Sequence, residues 1–338
     1  MSCILTLPGG QRITLAEESG FSDFMRGTVE PALAAARTEA EVPLSGGGSL
    51  HAESYLLPGA KQSVILLHGY TESAEKFREM AWYFLQAGFS VFSYDHRGHG
   101  RSLRQLEDLS VTHVDYFQEY VNDLEEFILR VVRPAMGDAP MNLYAHSMGG
   151  AVAAHFLIRH PDTFRRAVLS SPMIAPSANP YPLWVGKAMA GAFCLIGKGK
   201  SRAFIGGPFD PEKETFEASC DTSRPRFDYY QAKRNGTPYL QNCSPTYNWV
   251  YQAADQTKEL LKEKNTRAVK TEVLLCQAGL DTVVLLPPQD KFVSLLPHAT
   301  LKRYEAAKHE IYNSTDDVVR EYVQDVLAFL LKNQGGLN

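Results

Sequence analysis

Short apolar runs without internal alternation recur along the chain, and longer stretches with apolar residues at helical spacing separate most of them. The runs cover residues 63–68 (Ser-Val-Ile-Leu-Leu-His), 90–94, the segment leading to Ser147, 166–171, 271–277 and 300–304. An unbroken run of this length is what a strand buried on both faces requires, as in a parallel sheet flanked by helices. Residues 50–57 predict an earlier strand. Residues 72–88, 111–132 and the stretch from Gly149 to His160 predict helices, the second of them ended by Pro134, and 316–331 predict a C-terminal helix. Strands alternating with helices predict an α/β fold with a mostly parallel, doubly wound sheet.

Two intervals fall outside this alternation. Residues 1–48 read as an N-terminal extension, with a helix expected over 21–36 and interrupted at Pro31. Within it, Ser45-Gly46-Gly47-Gly48-Ser49 is a turn and lacks the Lys-Ser or Lys-Thr that a phosphate loop needs. The second interval is the hundred or so residues from Pro172 to Lys270, which separate two strands that one short helix could join. This surplus predicts an inserted helical cap over the C-terminal edge of the sheet, where open α/β sheets bind their ligands. The expected organisation is an extension at 1–48, a core at 49–172 and 271–338, and a cap at 173–270.

Met141-Asn142-Leu143-Tyr144-Ala145-His146-Ser147-Met148-Gly149-Gly150 places a serine between a buried strand and a helix that opens on small residues. That is the layout of a nucleophile elbow, G-x-S-x-G, with Ala145 in place of the first glycine. The sharp turn lifts the hydroxyl out of the sheet and aims the first helix amides at the atom it attacks. A serine hydroxyl also needs a base, and the base needs an acid to fix its tautomer. In chain order the acid and base follow the serine. Of the ten histidines, His309 alone is both late and beyond the end of a strand. Asp281 follows the preceding strand, and the other usual place for the acid is vacant, because no Asp or Glu occurs between Arg166 and Phe209. The expected triad is Ser147, Asp281 and His309. The amides of Met148 and Tyr70 are the expected oxyanion donors, with His68 and Gly69 shaping the second loop.

Composition adds limits. Of 338 residues, 44% are hydrophobic and 21% charged, enough to bury a sizeable core. A net charge of −4 gives no electrostatic footprint for nucleic acid. Five scattered cysteines without C-x-x-C spacing argue for a reduced, cytoplasmic setting and against a zinc site; no metal or cofactor is expected. Residues 1–20 lack the apolar core of a signal peptide, and residues 167–186, uncharged but with four prolines, make a poor membrane span.

Taken together, His68-Gly69, Asp95-His96-Arg97-Gly98-His99-Gly100-Arg101-Ser102, the Ser147 elbow, Asp281 and His309-Glu310 resemble the monoacylglycerol lipase and lysophospholipase branch of the α/β-hydrolases, with the nearer likeness to bacterial lysophospholipases. His113-Val114, residues 120–124 (Tyr-Val-Asn-Asp-Leu), Pro245-Thr246-Tyr247 and Trp249-Val250 extend the likeness, which spans roughly residues 50 to 330. The resemblance implies serine hydrolysis of a single-chain acyl ester. The Arg97-Gly98-His99-Gly100 turn reads as scaffold, with Arg97 paired internally.

The apolar run from Tyr181 to Ile196 admits two readings: a lid helix that lines an acyl channel and makes transient contact with the inner face of a membrane, or a helix buried against the sheet. Lys198, Lys200 and Arg202 after it read as a solvated loop rather than a lipid-phosphate site. Tyr229, Tyr230, Tyr247 and Trp249 receive no role. The competing functions are a general carboxylesterase or peptidase-like relative, and a catalytically silent hydrolase fold that binds lipid. Dehalogenase or epoxide hydrolase chemistry is excluded, because it needs an aspartate where Ser147 stands.

Overall fold

A computed structural model describes residues 2–332 of the chain. Strands β1 (Ser2–Thr6) and β2 (Arg12–Ala16) form a separate antiparallel hairpin. The main sheet contains β3 (Arg37–Pro43), β4 (Ser49–Tyr55), β5 (Ser63–Leu67), β6 (Ser90–Tyr94), β7 (Met141–His146), β8 (Arg166–Ser170), β9 (Glu272–Ala278) and β10 (Ala299–Tyr304). Their order across the sheet is β10-β9-β8-β7-β5-β6-β4-β3. The six strands from β5 to β10 are parallel, and β4 and β3 close one edge antiparallel. Every residue of β5, β6, β7 and β8 is buried, which accounts for the lack of polar alternation in those segments.

The principal helices are α1 (residues 21–36), α2 (Arg78–Gln86), α3 (Gln118–Phe127), α4 (Ser147–Arg159), α5 (Leu183–Leu195), α6 (Arg224–Asn235), α7 (Tyr247–Asp255), α8 (Leu286–Leu295) and α9 (Asp316–Leu331). Successive residues of β5 serve opposite layers. Ile65 and Leu67 join the core under α3, α4, α7 and α8. Val64 and Leu66 join the core under α1, α2, α9 and the β1–β2 hairpin. The sheet is thus covered on both faces. Among the described residues, no helix is long and apolar enough to cross a membrane.

Two local expectations differ from the structure. The helix expected over 111–132 begins at Gln118, because Val111–Thr112 instead pairs with Ser244–Pro245 from the 173–270 insertion. Nor does it stop before Pro134. A π-turn at Ile128–Val132 leads into Arg133–Met136, with the proline in the first turn of this last segment. The same device carries α1 past Pro31, through a π-turn at Met25–Val29. Widening the helix by one residue resets the bonding register, so the ring arrives where its missing amide is not needed.

The first 48 residues are tied into the rest of the molecule. Leu5, Ile13, Phe21, Met25, Val29 and Leu33 enter the second core, and β3 is the sheet's antiparallel edge strand. Arg226 of α6, 1% exposed, reaches Glu79 in α2, Asp316 at the start of α9 and the carbonyl oxygen of Ala16, with its guanidinium over the ring of Phe21. This one side chain joins the insertion, the N-terminal segment and the core.

Candidate active site

Ser147 follows β7 and opens α4, with φ at 52°. A non-glycine residue in the left-handed region is strained and persists only where its surroundings impose it. Close packing imposes it here. A Cβ on Gly149 would lie 2.6 Å from the carbonyl oxygen of His68 and 2.7 Å from that of Leu67, and one on Gly150 would lie 2.6 Å from Pro172 Cβ. The helix therefore sits almost on the backbone of β5. Ala145, one strand position before His146, is fully buried, so a single methyl is accommodated on that side of the turn. Met148 is the second residue of α4, where an amide precedes any intrahelical acceptor.

His309 and Asp281 come from the loops after β10 and β9. The structure brings them to the serine: His309 Nε2 is 2.8 Å from Ser147 Oγ, and His309 Nδ1 is 2.7 Å from Asp281 Oδ2. With Nδ1–H donated to the carboxylate, Nε2 remains the acceptor for the serine hydroxyl. The other oxygen of Asp281 accepts the amides of Val283 and Val284 at 2.8 and 3.1 Å. Burial raises the affinity of Asp281 for a proton, but the hydrogen bond and charge of His309, together with those two amides, outweigh it and hold the carboxyl below its usual range. Ser147 and His309 are each 5% exposed.

The loop after β5 lies against the serine, since a Cβ on Gly69 would be 3.0 Å from Ser147 Cβ. His68 Nε2 accepts the amide of His96 and its Nδ1 meets the carbonyl oxygen of Gly69, both at 2.8 Å, so the ring ties this loop to the end of β6. Glu72 accepts the Gly69 amide, and Thr71 is held at φ 64°. The Tyr70 amide, in this strained turn, has no acceptor among the described residues. Arg97 forms a fork with Asp123, at 2.7 and 2.6 Å, and also binds Glu119. It holds the β6 loop to α3 and lies in neither cavity beside the site.

Two cavities have walls in contact with or adjoining this loop, one through Trp249 and the other through Thr71. One, of about 440 Å³, is apolar and lies between α5, α7 and the 176–181 segment. Its walls include Met189, Phe204, Tyr247 and Trp249, and the Trp249 ring lies 4.2 Å from that of Tyr70. Of α5 only Ala190 is buried; the helix packs on α7 and leaves Trp184, Leu195 and, just beyond it, Ile196 exposed. The apolar run is therefore a cavity wall with an open outer face, not a helix sunk against the sheet. The second cavity, about 180 Å³, is polar and is lined by Thr71, Lys76, Asp221, Tyr230 and Glu310 among others. No local motif marks Asp221 or Tyr312 in the sequence; Glu72 and Lys76 show only as an acid–base pair at i, i+4 just after His68-Gly69.

The remaining candidates fall into structural roles. Tyr229 bonds Glu30 in α1. Arg202 pairs with Asp108 and Ser244, while Lys198 and Lys200 are exposed. Glu39, His51 and Glu53 bring three potential ligand atoms within 4.8 Å, but Arg37, Arg78 and Arg101 already surround Glu53 with positive charge.

Residues 58–316 match the Hydrolase_4 family, serine aminopeptidase, S33. The chain is 27% identical over 272 residues to the probable lysophospholipase L2 of Haemophilus influenzae, covering 80% of this chain and 84% of that protein. It is 31% identical over 240 residues to the lysophospholipase L2 of Escherichia coli K12, covering 69% and 67%. Among solved structures, a soluble variant of the Saccharomyces cerevisiae monoglyceride lipase, bound to a substrate analogue, superposes with a TM-score of 0.71 at 19% identity, covering 88% and 96%. A carboxyl esterase from Bacillus coagulans also superposes at 0.71, with 18% identity, covering 88% and 98%. With the elbow serine, the late histidine and the parallel sheet in place, the chain belongs to the Hydrolase_4 family of α/β-hydrolases, on the branch that holds lysophospholipases and monoglyceride lipases.

Proposed function

We propose that this protein is a serine hydrolase that cleaves the carboxylic ester of a single-acyl-chain lipid, a lysophospholipid or a monoacylglycerol, through an acyl-enzyme. The observation that carries the reading is the Ser147–His309–Asp281 relay, with both of its hydrogen bonds under 3 Å. Ser147 Oγ attacks the ester carbonyl carbon while His309 Nε2 takes the hydroxyl proton. The carbonyl π electrons move to oxygen, which the amides of Met148 and Tyr70 receive. On collapse the C–O bond to the alcohol breaks, and His309 returns the proton to the leaving oxygen. Water, activated by the same imidazole, then releases the fatty acid. Asp281 stays ionised and stabilises the imidazolium.

In this reading residues 173–270 are the cap and the apolar cavity holds the acyl chain. The names of the relatives support a lipid ester as substrate. So does the surface: Trp184, Leu195, Ile196, Phe204 and Ile205, all more than half exposed, form an apolar face from which a chain could pass out of a lipid aggregate into the cavity. The test is hydrolysis of a matched panel by the purified protein: lysophosphatidylcholine, a monoacylglycerol and p-nitrophenyl butyrate. Rapid release of fatty acid from either lipid supports the proposal. Cleavage of the butyrate alone would replace it with a short-ester carboxylesterase.

A further inference from the structure

The Tyr70 amide belongs to the peptide whose carbonyl is that of Gly69. A carbonyl oxygen only accepts, so His68 Nδ1 donates to it at 2.8 Å, and Nε2 is left to accept the His96 amide at 2.8 Å. In a trans peptide the N–H points away from the C=O, so His68 fixes this peptide from its carbonyl side. At the other end stands the Tyr70 side chain. Thr71, the next residue, is held at φ 64°, a conformation that its surroundings must impose. The Tyr70 ring lies between the core and the 173–270 insertion. It meets His99 edge-on at 5.9 Å and Trp249 at 4.2 Å, with its hydroxyl beside Thr112.

Trp249 is itself fixed from several sides. It stands in the first turn of α7, where its amide donates to Thr246 Oγ1 at 3.1 Å, and that hydroxyl also meets His113 Nδ1 at 2.9 Å. The Thr246 amide donates to the carbonyl oxygen of Thr112 at 3.0 Å, which ties the start of α7 to the core. The indole Nε1–H donates to the Tyr120 hydroxyl of α3 at 3.2 Å. The indole is buried and lines the apolar cavity, whereas Tyr70 does not line it. One rigidly mounted side chain thus serves both as cavity wall and as support for the ring of the oxyanion loop.

We propose that Trp249 is a positioning residue for the hydrolysis: by holding the Tyr70 ring it keeps the Tyr70 amide aimed at the oxyanion that forms beside Ser147. The insertion then contributes to the chemical step as well as to binding the acyl chain. The inference rests on the ester-hydrolase reading above, with Tyr70 as an oxyanion donor. Such a donor is effective only while it is preorganised, and removing one costs about 10²–10³ in kcat. Loosening one lowers kcat by less, and does so whatever the length of the acyl chain.

The experiment measures kcat and KM separately for p-nitrophenyl acetate, which has no chain to fill the cavity, and p-nitrophenyl decanoate. Trp249→Leu should lower kcat about tenfold on both esters, and Trp249→Phe, which keeps an aromatic face for Tyr70, should recover most of the loss. Tyr70→Ala keeps the amide but removes the ring; it should lose as much, and the double variant with Trp249→Leu no more than Tyr70→Ala alone. Trp82→Leu is the control, since it removes an equally buried indole from the opposite core; its kcat should match wild type. A Trp249→Leu loss confined to KM for the decanoate would make Trp249 a cavity wall alone and overturn the proposal, as would additive losses in the double variant. A second measurement needs no turnover. The Gly69 and Ala74 amides are held by Glu72 and Asp95, and their hydrogen exchange should quicken in Trp249→Leu and Tyr70→Ala but not in Trp82→Leu. Exchange unchanged in both loop variants overturns the proposal even if the esters are poor substrates. A wild type inert toward both esters is a failure of the hydrolase reading, visible before any variant is made, and it takes the proposal with it.

Discussion

Gly149→Ala isolates the spacing between β5 and α4 on which the site depends. The new methyl meets backbone on its near side: 2.6 Å to His68 O and 2.7 Å to Leu67 O, against the 3.0 Å that real Cβ atoms respect and the 3.4 Å of ordinary contact. The helix start must therefore retreat by 0.4 Å to reach the first limit and by 0.8 Å to reach the second. Neither oxygen can swing aside, because both belong to the central strand or its immediate end. Overpacking of this kind costs about 1–3 kcal/mol of stability. The same shift carries Ser147 and the Met148 amide away from the Tyr70 amide, and a misplacement approaching 1 Å costs about 100-fold in rate. The assay is kcat/KM for p-nitrophenyl butyrate together with the urea midpoint. Gly27→Ala is the matched control, since its Cβ meets nothing within 4 Å. It should leave the kinetics unchanged and the midpoint equal or higher. A Gly149→Ala protein with wild-type kcat/KM and midpoint would refute the claim that contact between strand and helix holds Ser147 in place.

Three further outcomes are expected. Ser147→Ala should lower turnover about a millionfold with urea stability little changed, and a residual rate only tenfold below wild type would point to a different nucleophile. Asp281→Asn should lower kcat by about 10⁴, through loss of the tautomer that leaves His309 Nε2 unprotonated. Because the folded Asp281 carboxyl lies below its ordinary 3.8, the stability it contributes is present above that pH and lost as pH falls through the folded value; the Asn variant should therefore show a shallower loss in acid denaturation below about pH 3.8. Arg226→Met should cost about 3–5 kcal/mol in urea unfolding by leaving Glu79 buried without its cation, and adding Glu79→Leu should recover a large part of it. Equal losses in the single and double variants would mean that the pair itself contributes little to fixing α6 on the core.

Much of the site was legible because its chemistry is written in local pattern. A strand buried on both faces cannot alternate, so β5 to β8 stand out as unbroken apolar runs. The elbow needs small residues where helix and strand touch, and Gly149 and Gly150 sit at those contacts. Asp281 and His309 are the candidates that elimination leaves, since a parallel sheet places its C-terminal strand ends along one edge and few acids or imidazoles lie in such loops after the serine. The fold and the triad candidates could be read on this basis without any knowledge of distances.

Other features depend on residues distant in the chain. Lys76 meets Glu310 across 234 positions, Tyr312 meets Glu72 across 240, and the short, polar segments that hold them look like ordinary surface in sequence. The N-terminal segment reads as separable because its pattern is weak, yet its apolar residues complete a core made by α2 and by α9, the latter at the far end of the chain. Pro31 and Pro134 signal helix breaks, and a π-turn, which no periodicity announces, carries the helix through both. Residues 181–196 are apolar apart from Lys187, so nothing in them chooses between a buried helix and a cavity wall; the packing of α5 on α7 makes that choice. Side chains within one element are placed by helical and strand repeats, which the order of apolar and polar residues reveals. The pairing of charges across loops depends on where the whole sheet brings those loops, and that is settled only when the chain has folded.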